Sequence, residues 1–346
     1  MNGEVGLSYN RPLTEAEFKR LQRFERGRKN RRGRRNPASV PARLCRTAAF
    51  APKRRGLITD STFSRLYVVP GHSVVEVSGR ELGSQHRDAI YAVFRLKAEC
   101  SYVDNGNAST WLRYHEQYRT ITSWRELLRA MGKKEHVNNA MTLQEVFKEI
   151  KKVAITVYRD ATPDLVEKLK AGQRPTNEGA IGSIIDEIAW DGVNLDSKVR
   201  IVYGGHAVAA IKNAMLVSLN ADVQFQLKSD HAKSFWPYID SNRGHQWVDE
   251  SVLASLAGRD LWGEDETSGS RAQFRKDCRQ ALNDMVTAGG LASWRVEIIG
   301  TGRTKSHRYH YVHKLPTQGQ VLDEQQPVVI QPQGQLMLGF DGGHVV

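Results

Sequence analysis

The stretch SRAQFRKDCRQALNDMVTAGG, residues 270–290, decides how the rest of the chain is read. Phe274, Cys278, Leu282, Met285 and Val286 recur at steps of three and four, which places them on one face of a helix from Ser270 to Ala288. Gly289 and Gly290 stop it, because glycine takes up a left-handed cap at little steric cost. The other side carries Arg275, Lys276, Arg279, Gln280 and Asn283, with Arg271 in the first turn. These are cations and amides able to reach phosphates and base edges. Just upstream, Val252, Leu253, Leu256 and Ala257 have helical spacing within Glu250 to Gly258. Downstream, Trp294 to Ile299 and His307 to Lys314 alternate as strands around a loop from Gly300 to Lys305. Arg303, Lys305 and Arg308 make this hairpin basic and suit it to lie along a phosphate backbone.

Short helix, long helix and basic hairpin follow one another in the order of a winged helix, with the long helix as the recognition helix. A charged helix face is commonly only a solvated face; the adjoining basic hairpin is what favours the nucleic-acid reading. Composition agrees with it. The chain has 346 residues, with 50 Lys+Arg against 38 Asp+Glu and a formal net charge of +12, a balance suited to a polyanionic partner. That length exceeds the usual span of a single core. Cys45, Cys100 and Cys278 are odd in number and far apart, so neither a disulfide framework nor a metal site is expected. No apolar run approaches the length of a bilayer span, and the N-terminus lacks a signal-peptide core, so the expected setting is a bacterial cytoplasm with no membrane partner.

Thr14 to Arg26 has helical spacing of Phe18, Leu21 and Phe24, but it runs into Arg28, Lys29, Arg31, Arg32, Arg34 and Arg35. Like charges at this density favour a disordered arm attracted to phosphates regardless of sequence, or alternatively a solubilising tail. Pro37, Pro41 and Pro52 then mark a linker. Beyond Ile58 the same order of elements recurs. Val74 to Val77 reads as a strand, Ser84 to Glu99 as a helix, and Tyr118 to Thr122 as a strand. Ser123 caps a helix holding Trp124, Leu127, Leu128 and Met131. Asn139 to Lys152 repeats Leu143, Val146, Phe147 and Ile150, with Lys148, Lys151 and Lys152 outside. Strands are expected at Val153 to Tyr158, Ile181 to Ala189, Lys198 to Tyr203 and Met215 to Leu227, with a polar insertion from Thr162 to Gly179 and a helix within it at Pro163 to Lys170. A second unit opens with a helix from His231 to Ser241. The expected fold class is α+β: an arm and linker (1–56), a first winged helix (57–228), a second winged helix (229–315) and a disordered tail (316–346).

The segment Val75 to Leu82 with the helix after it resembles the start of the first winged helix in plasmid replication initiators of the TrfA and RepA kind. Met215 to Gln226, then Ala232 to Trp236, then Phe274 to Gly290 are similar to that family's strand, joining helix and second winged helix. The likeness spans residues 57–314 and rests on element order and scattered positions. It implies a protein that binds repeated sites in double-stranded DNA at a plasmid origin, opens adjacent A·T-rich DNA and helps load the host replicative helicase. It also implies major-groove contacts by the second winged helix, hence by Arg275, Lys276, Arg279, Gln280 and Asn283, and a first winged helix that combines self-association with DNA contact, the latter falling on Lys148, Lys151 and Lys152.

Past Pro316 the chain turns rich in Gln, Pro and Gly, then carries Gln335, Leu336, Met337, Leu338, Gly339 and Phe340. This hexapeptide resembles the bacterial sliding-clamp motif. Leu338 and Phe340 would fill an apolar pocket, Leu336 would cover its flank and Gln335 would bond at its rim. The competing reading is an apolar strand docked on its own domain. No catalytic constellation emerges. In His307 to His313 the histidines at 307 and 313 share a strand face while His310 takes the other, so the His-x-His pair of a tyrosine nickase is missing. Gly132-Lys133 lacks the remainder of a phosphate loop. A non-enzymatic DNA binder without cofactor is therefore expected. A transcriptional repressor on the same fold is the alternative, distinguished by having no use for a clamp peptide.

Overall fold

The computed structural model describes residues 38–314 apart from 70–72, 105–113, 160, 174, 177, 214, 243–245, 262–266 and 301–304. The basic arm and the tail hexapeptide lie outside the described residues. Where the prolines suggested a linker, the chain is instead core. Ala38–Pro41 (β1) runs antiparallel to Leu216–Leu219, with Ala38 opposite Leu219. Ala42–Arg46 (α1) follows, and Ala38, Ser39, Val40 and Phe50 have no exposed surface. This segment is therefore an inner strand and helix of the fold. Its partner strand is remote in sequence, so no local pattern announces it.

Ser64–Val69 (β2) and Ser73–Ser78 (β3) lead into Ser84–Arg95 (α2), then Glu99–Asp104 (β4) and Tyr114–Ser123 (β5). Trp124–Ala130 (α3) starts where the Ser123 hydroxyl accepts from the Glu126 N–H, as the sequence predicts. Val137–Ile150 (α4) follows. These three helices close over Ile90, Phe94, Trp124, Leu127, Leu128, Leu143 and Phe147, all buried. Ala154–Arg159 (β6) and Gly179–Gly182 (β7) join β2 and β3 in a four-stranded antiparallel sheet of order β2-β3-β6-β7. The insertion between β6 and β7 holds Pro163–Lys170 (α5), capped by Thr162 as its sequence suggests. Three helices followed by the β6–β7 pair make the first winged helix.

The single strand expected from Ile181 to Ala189 is two. β7 belongs to the sheet just described, whereas Ile185–Trp190 (β8) pairs with Lys198–Tyr203 (β9) in a second sheet, β4-β5-β9-β8. The switch occurs beside Gly182, where a Cβ would press on the His206 ring at 3.1 Å. Gly205–Lys212 (α6) leads to Leu216–Leu219 (β10). The strand expected to run from Met215 to Leu227 stops at Leu219, because the Asn220 side chain accepts from the Val223 N–H and opens Ala221–Gln226 (α7), with Asp222 favourably placed in its first turn. Alternation in Val223-Gln224-Phe225-Gln226 imitates a strand but is overruled by this cap.

The second unit runs Asp230–Ser241 (α8), Trp247–Asp249 (β11), Glu250–Leu256 (α9), Ser268–Thr287 (α10), Leu291–Ile299 (β12) and Ser306–His313 (β13); its helices and hairpin keep the expected order, and β11 is a strand the sequence did not announce. Its sheet has the order β11-β13-β12. The two glycines after α10 do different work. Gly289 takes φ +76°, while at Gly290 an added Cβ would lie 2.6 Å from the Trp236 ring. The first reverses the chain and the second lets it pass beneath α8.

The opening helices of the two units, α2 and α8, meet through buried polar groups. Arg87 donates to Ser234 Oγ and to the Phe50 carbonyl, both at 2.8 Å, and its guanidinium lies 5.2 Å from the Phe50 ring centroid. Asp88 pairs with Lys233, and Gln224 reaches both Asp88 (3.4 Å) and the Lys233 carbonyl (3.3 Å). Ser84 Oγ donates to Asp230 at 2.7 Å. Removing one member leaves a buried charge without its counterion. Asp88→Ala should lower stability by about 3–5 kcal/mol, and the apolar pair Asp88→Leu with Lys233→Met should recover most of that loss, both read from urea unfolding midpoints.

Candidate nucleic-acid interface

α10 is two-sided. Phe274, Cys278, Ala281, Leu282 and Met285 are buried, with Phe274 edge-on to Phe235 of α8 at 6.4 Å. Lys276, Arg279, Gln280 and Asn283 are exposed and fall within two turns of one another. Asn283 commits its carbonyl oxygen to the Trp294 indole N–H at 2.9 Å, so toward a ligand it acts chiefly as a donor. Gln273, not singled out from sequence, is exposed as well, but its amide donates to Asp277 at 2.8 Å.

Not every cation grouped with this face projects from it. Arg275 is turned inward: Nε and Nη2 donate to the carboxylate of Glu250 at 2.7 and 3.2 Å, and Nη2 also donates to the Lys305 carbonyl at 3.2 Å. Glu250 is 1 % exposed and accepts in addition from the His307 backbone N–H at 3.0 Å. One carboxylate at the start of α9 thus ties α10 to β13. The sequence held one signal of this, an acidic residue in the first turn of a short helix; the requirement for a counterion emerges only when α10 and β13 converge on it. Arg271 is half-buried, its Nη1 3.5 Å from the Leu261 carbonyl.

On the wing, β13 alternates as expected. His307, Tyr309 and Tyr311 are buried, and Arg308 and His310 lie on the opposite face. Burial, aided by the positive charge of Arg275, holds the His307 imidazole below its ordinary pKa. Burial likewise drives the Tyr309 and Tyr311 hydroxyls well above the usual tyrosine range. Arg308 is held by Asp249 at 2.8 and 3.2 Å and stacks 3.9 Å from the Trp247 ring centroid, which braces β11 against β13. Lys305 is exposed at the base of the hairpin, and Arg303 lies outside the described residues.

In the first unit, Lys148 is exposed and pairs with Glu145 at 2.7 Å, while Lys151 and Lys152 are exposed just past the end of α4. Among the described residues no group of three or more His, Cys, Asp or Glu could hold a metal ion, and no helix is long and apolar enough to cross a membrane. Gln335, Leu336, Leu338 and Phe340 lie outside the described residues.

No protein-family model and no curated protein matches the chain. Solved structures of similar arrangement include domains 2 and 3 of RctB, at 11 % identity and a TM-score of 0.49 over 80 % of this chain and 100 % of that one. A further structure of RctB domains 2–3 has 11 % identity and a TM-score of 0.43, with 79 % and 96 % covered. The Pi initiator protein in complex with iteron DNA has 11 % identity and a TM-score of 0.45, with 67 % and 92 % covered.

The two kinds of charged residue on α10 should separate experimentally. Glu250→Ala strands the Arg275 guanidinium and the His307 N–H and should cost about 1–3 kcal/mol in chemical denaturation. Lys276→Ala, on the open face, should stay within about 0.5 kcal/mol of the parent.

Proposed function

We propose that the protein binds repeated sites on double-stranded DNA and acts there as a plasmid replication initiator. The observation that carries this reading is the exposed row Lys276, Arg279, Gln280 and Asn283 on a helix whose other side is wholly buried, next to a basic hairpin. An α-helix fits the major groove, where arginine or lysine meets guanine O6 and N7 and amides meet adenine. Lys305 at the hairpin and the arginine-rich stretch from Arg28 to Arg35 supply attraction to phosphates that any sequence satisfies. Two winged helices joined through a buried polar junction present two reading heads as one body. Binding energy from adjacent repeats then strains the duplex, and A·T-rich steps open because they cost least.

In this reading the work is mechanical and not enzymatic. Tyr309 and Tyr311, the tyrosines nearest a histidine cluster, lie inside the wing sheet. Host proteins would complete the process: the replicative helicase at the opened strand, and the sliding clamp through Gln335, Leu336, Leu338 and Phe340. Burial of two large apolar side chains offers roughly 3–6 kcal/mol before ordering costs, which suits reversible capture. Self-association through the first unit belongs to the same proposal. The same recognition surface would also serve a repressor on an operator, since fold does not separate the two.

Footprinting on DNA flanking the gene should reveal regularly spaced protected repeats; a single protected site would turn the reading toward a repressor. Arg279→Ala should weaken binding to the repeat by about 1–3 kcal/mol and affect random duplex less; equal loss on both would make Arg279 a phosphate contact. The tail is checked by pull-down with a bacterial sliding clamp. The parent protein should be retained and the Leu338→Ala/Phe340→Ala variant lost, whereas retention of neither removes the clamp from the proposal.

A further inference from the structure

α4 stands in the first unit where α10 stands in the second, as the third helix of the trio and just ahead of the paired strands, yet its open face is chemically different. Val137 and Met141 are 38 % and 50 % exposed, and Asn138 and Thr142 lie exposed beside them. A single exposed apolar side chain is ordinary. Here two of them at i and i+4 make a strip with an amide and a threonine. The Thr142 hydroxyl donates to the Asn138 carbonyl at 2.9 Å, so its methyl is the group it offers a partner. The exposed charges within the helix, Glu145 and Lys148, pair with each other. Cations gather instead at the two ends, Lys134 before the helix and Lys151 and Lys152 after it, all exposed.

An uncharged, partly apolar centre with cations at both ends complements one particular ligand surface, a major groove whose floor is lined by thymine methyl groups and whose walls are phosphates. Thymine shows an apolar methyl there, and adenine shows a donor and acceptor that suit asparagine. Guanine calls for arginine or lysine, which the centre of α4 lacks and α10 has in Arg279 and Lys276. We infer that the two reading heads divide the repeat: α4 recognises an A·T-rich half through Val137, Asn138, Met141 and Thr142, and α10 recognises a guanine-containing half. This rests on the reading of the protein as a duplex-DNA binder and assigns the bases that its first unit selects.

The test uses the full chain and duplexes of the footprinted repeat in which single thymines are replaced by deoxyuridine, removing one methyl group each. Wild type and Met141→Ala are titrated with every duplex. At one or two positions in one half of the repeat, wild type should bind about fourfold more weakly, the equivalent of roughly 0.8 kcal/mol for one buried methyl-sized group. Met141→Ala, already weakened, should be insensitive at those positions. If all deoxyuridine duplexes bind wild type like the parent duplex, or if the loss is equal in both proteins, the inference is overturned. Arg279→Ala on the same duplexes distinguishes the levels. Loss of preference for the repeat in that variant, with deoxyuridine harmless to wild type, sinks the assignment of α4 alone. A wild type that does not prefer the repeat to random duplex sinks the DNA-binding reading itself.

Discussion

The arrangement of both winged helices depends on the burial of an ion pair, Asp88 with Lys233, between the helices that open them. A charge taken out of water must find a counterion and fill its remaining hydrogen bonds, and few geometries do this. Gln224 adds a hydrogen bond to Asp88, and the neighbouring Arg87 bonds Ser234 across the same seam, so directional bonds as well as area constrain how α2 meets α8. An apolar contact of equal area would tolerate sliding; this one does not. Since α4 packs on α2 and α10 packs on α8, the relative placement of the two candidate reading helices follows from a polar cluster that touches neither of their open faces.

The same logic operates on a smaller scale around Glu250. Its carboxylate accepts from Arg275 and from the His307 backbone, Arg275 in turn donates to the Lys305 carbonyl, and one arginine is thereby removed from the open face of α10. Arg308 is similarly engaged by Asp249 and Trp247. The row left facing solvent, Lys276, Arg279, Gln280 and Asn283, is what remains after the fold has taken the cations it needs for its own cohesion. A basic helix is thereby divided into residues that shape the interface and residues that can serve as one.

Periodicity made the second unit legible. A three-four spacing over nineteen residues from Ser270 to Ala288, a double glycine and two alternating strands each have a local physical cause, and the structure reproduces them within a few residues. In the first unit α3, α4 and α5 were legible for the same reason, with the caps at Ser123 and Thr162 readable from single residues, whereas α2 stops at Arg95 short of the expected Glu99, which opens β4, and α6 carried no such signal. Misreadings occurred where composition imitated another state. Ala38 to Ala51 looked like a linker, residues 181–189 like one strand, and residues 223–226 like the continuation of another. In each case the deciding partner is either a remote segment, such as β10 for β1, or a cap whose strength outweighs alternation, as at Asn220.

The sequence alone determined the long amphipathic helices and the alternating hairpin of the second unit, because the demand to bury one face repeats along those segments at the period of the element. It also determined the excess of positive charge, a balance suited to a polyanionic partner. Only the tertiary structure decided which of those charges are available. Whether Arg275 meets a phosphate or Glu250 depends on a carboxylate twenty-five residues away being brought beneath it without solvent, and a buried counterion is a property of the packed molecule that no local pattern carries.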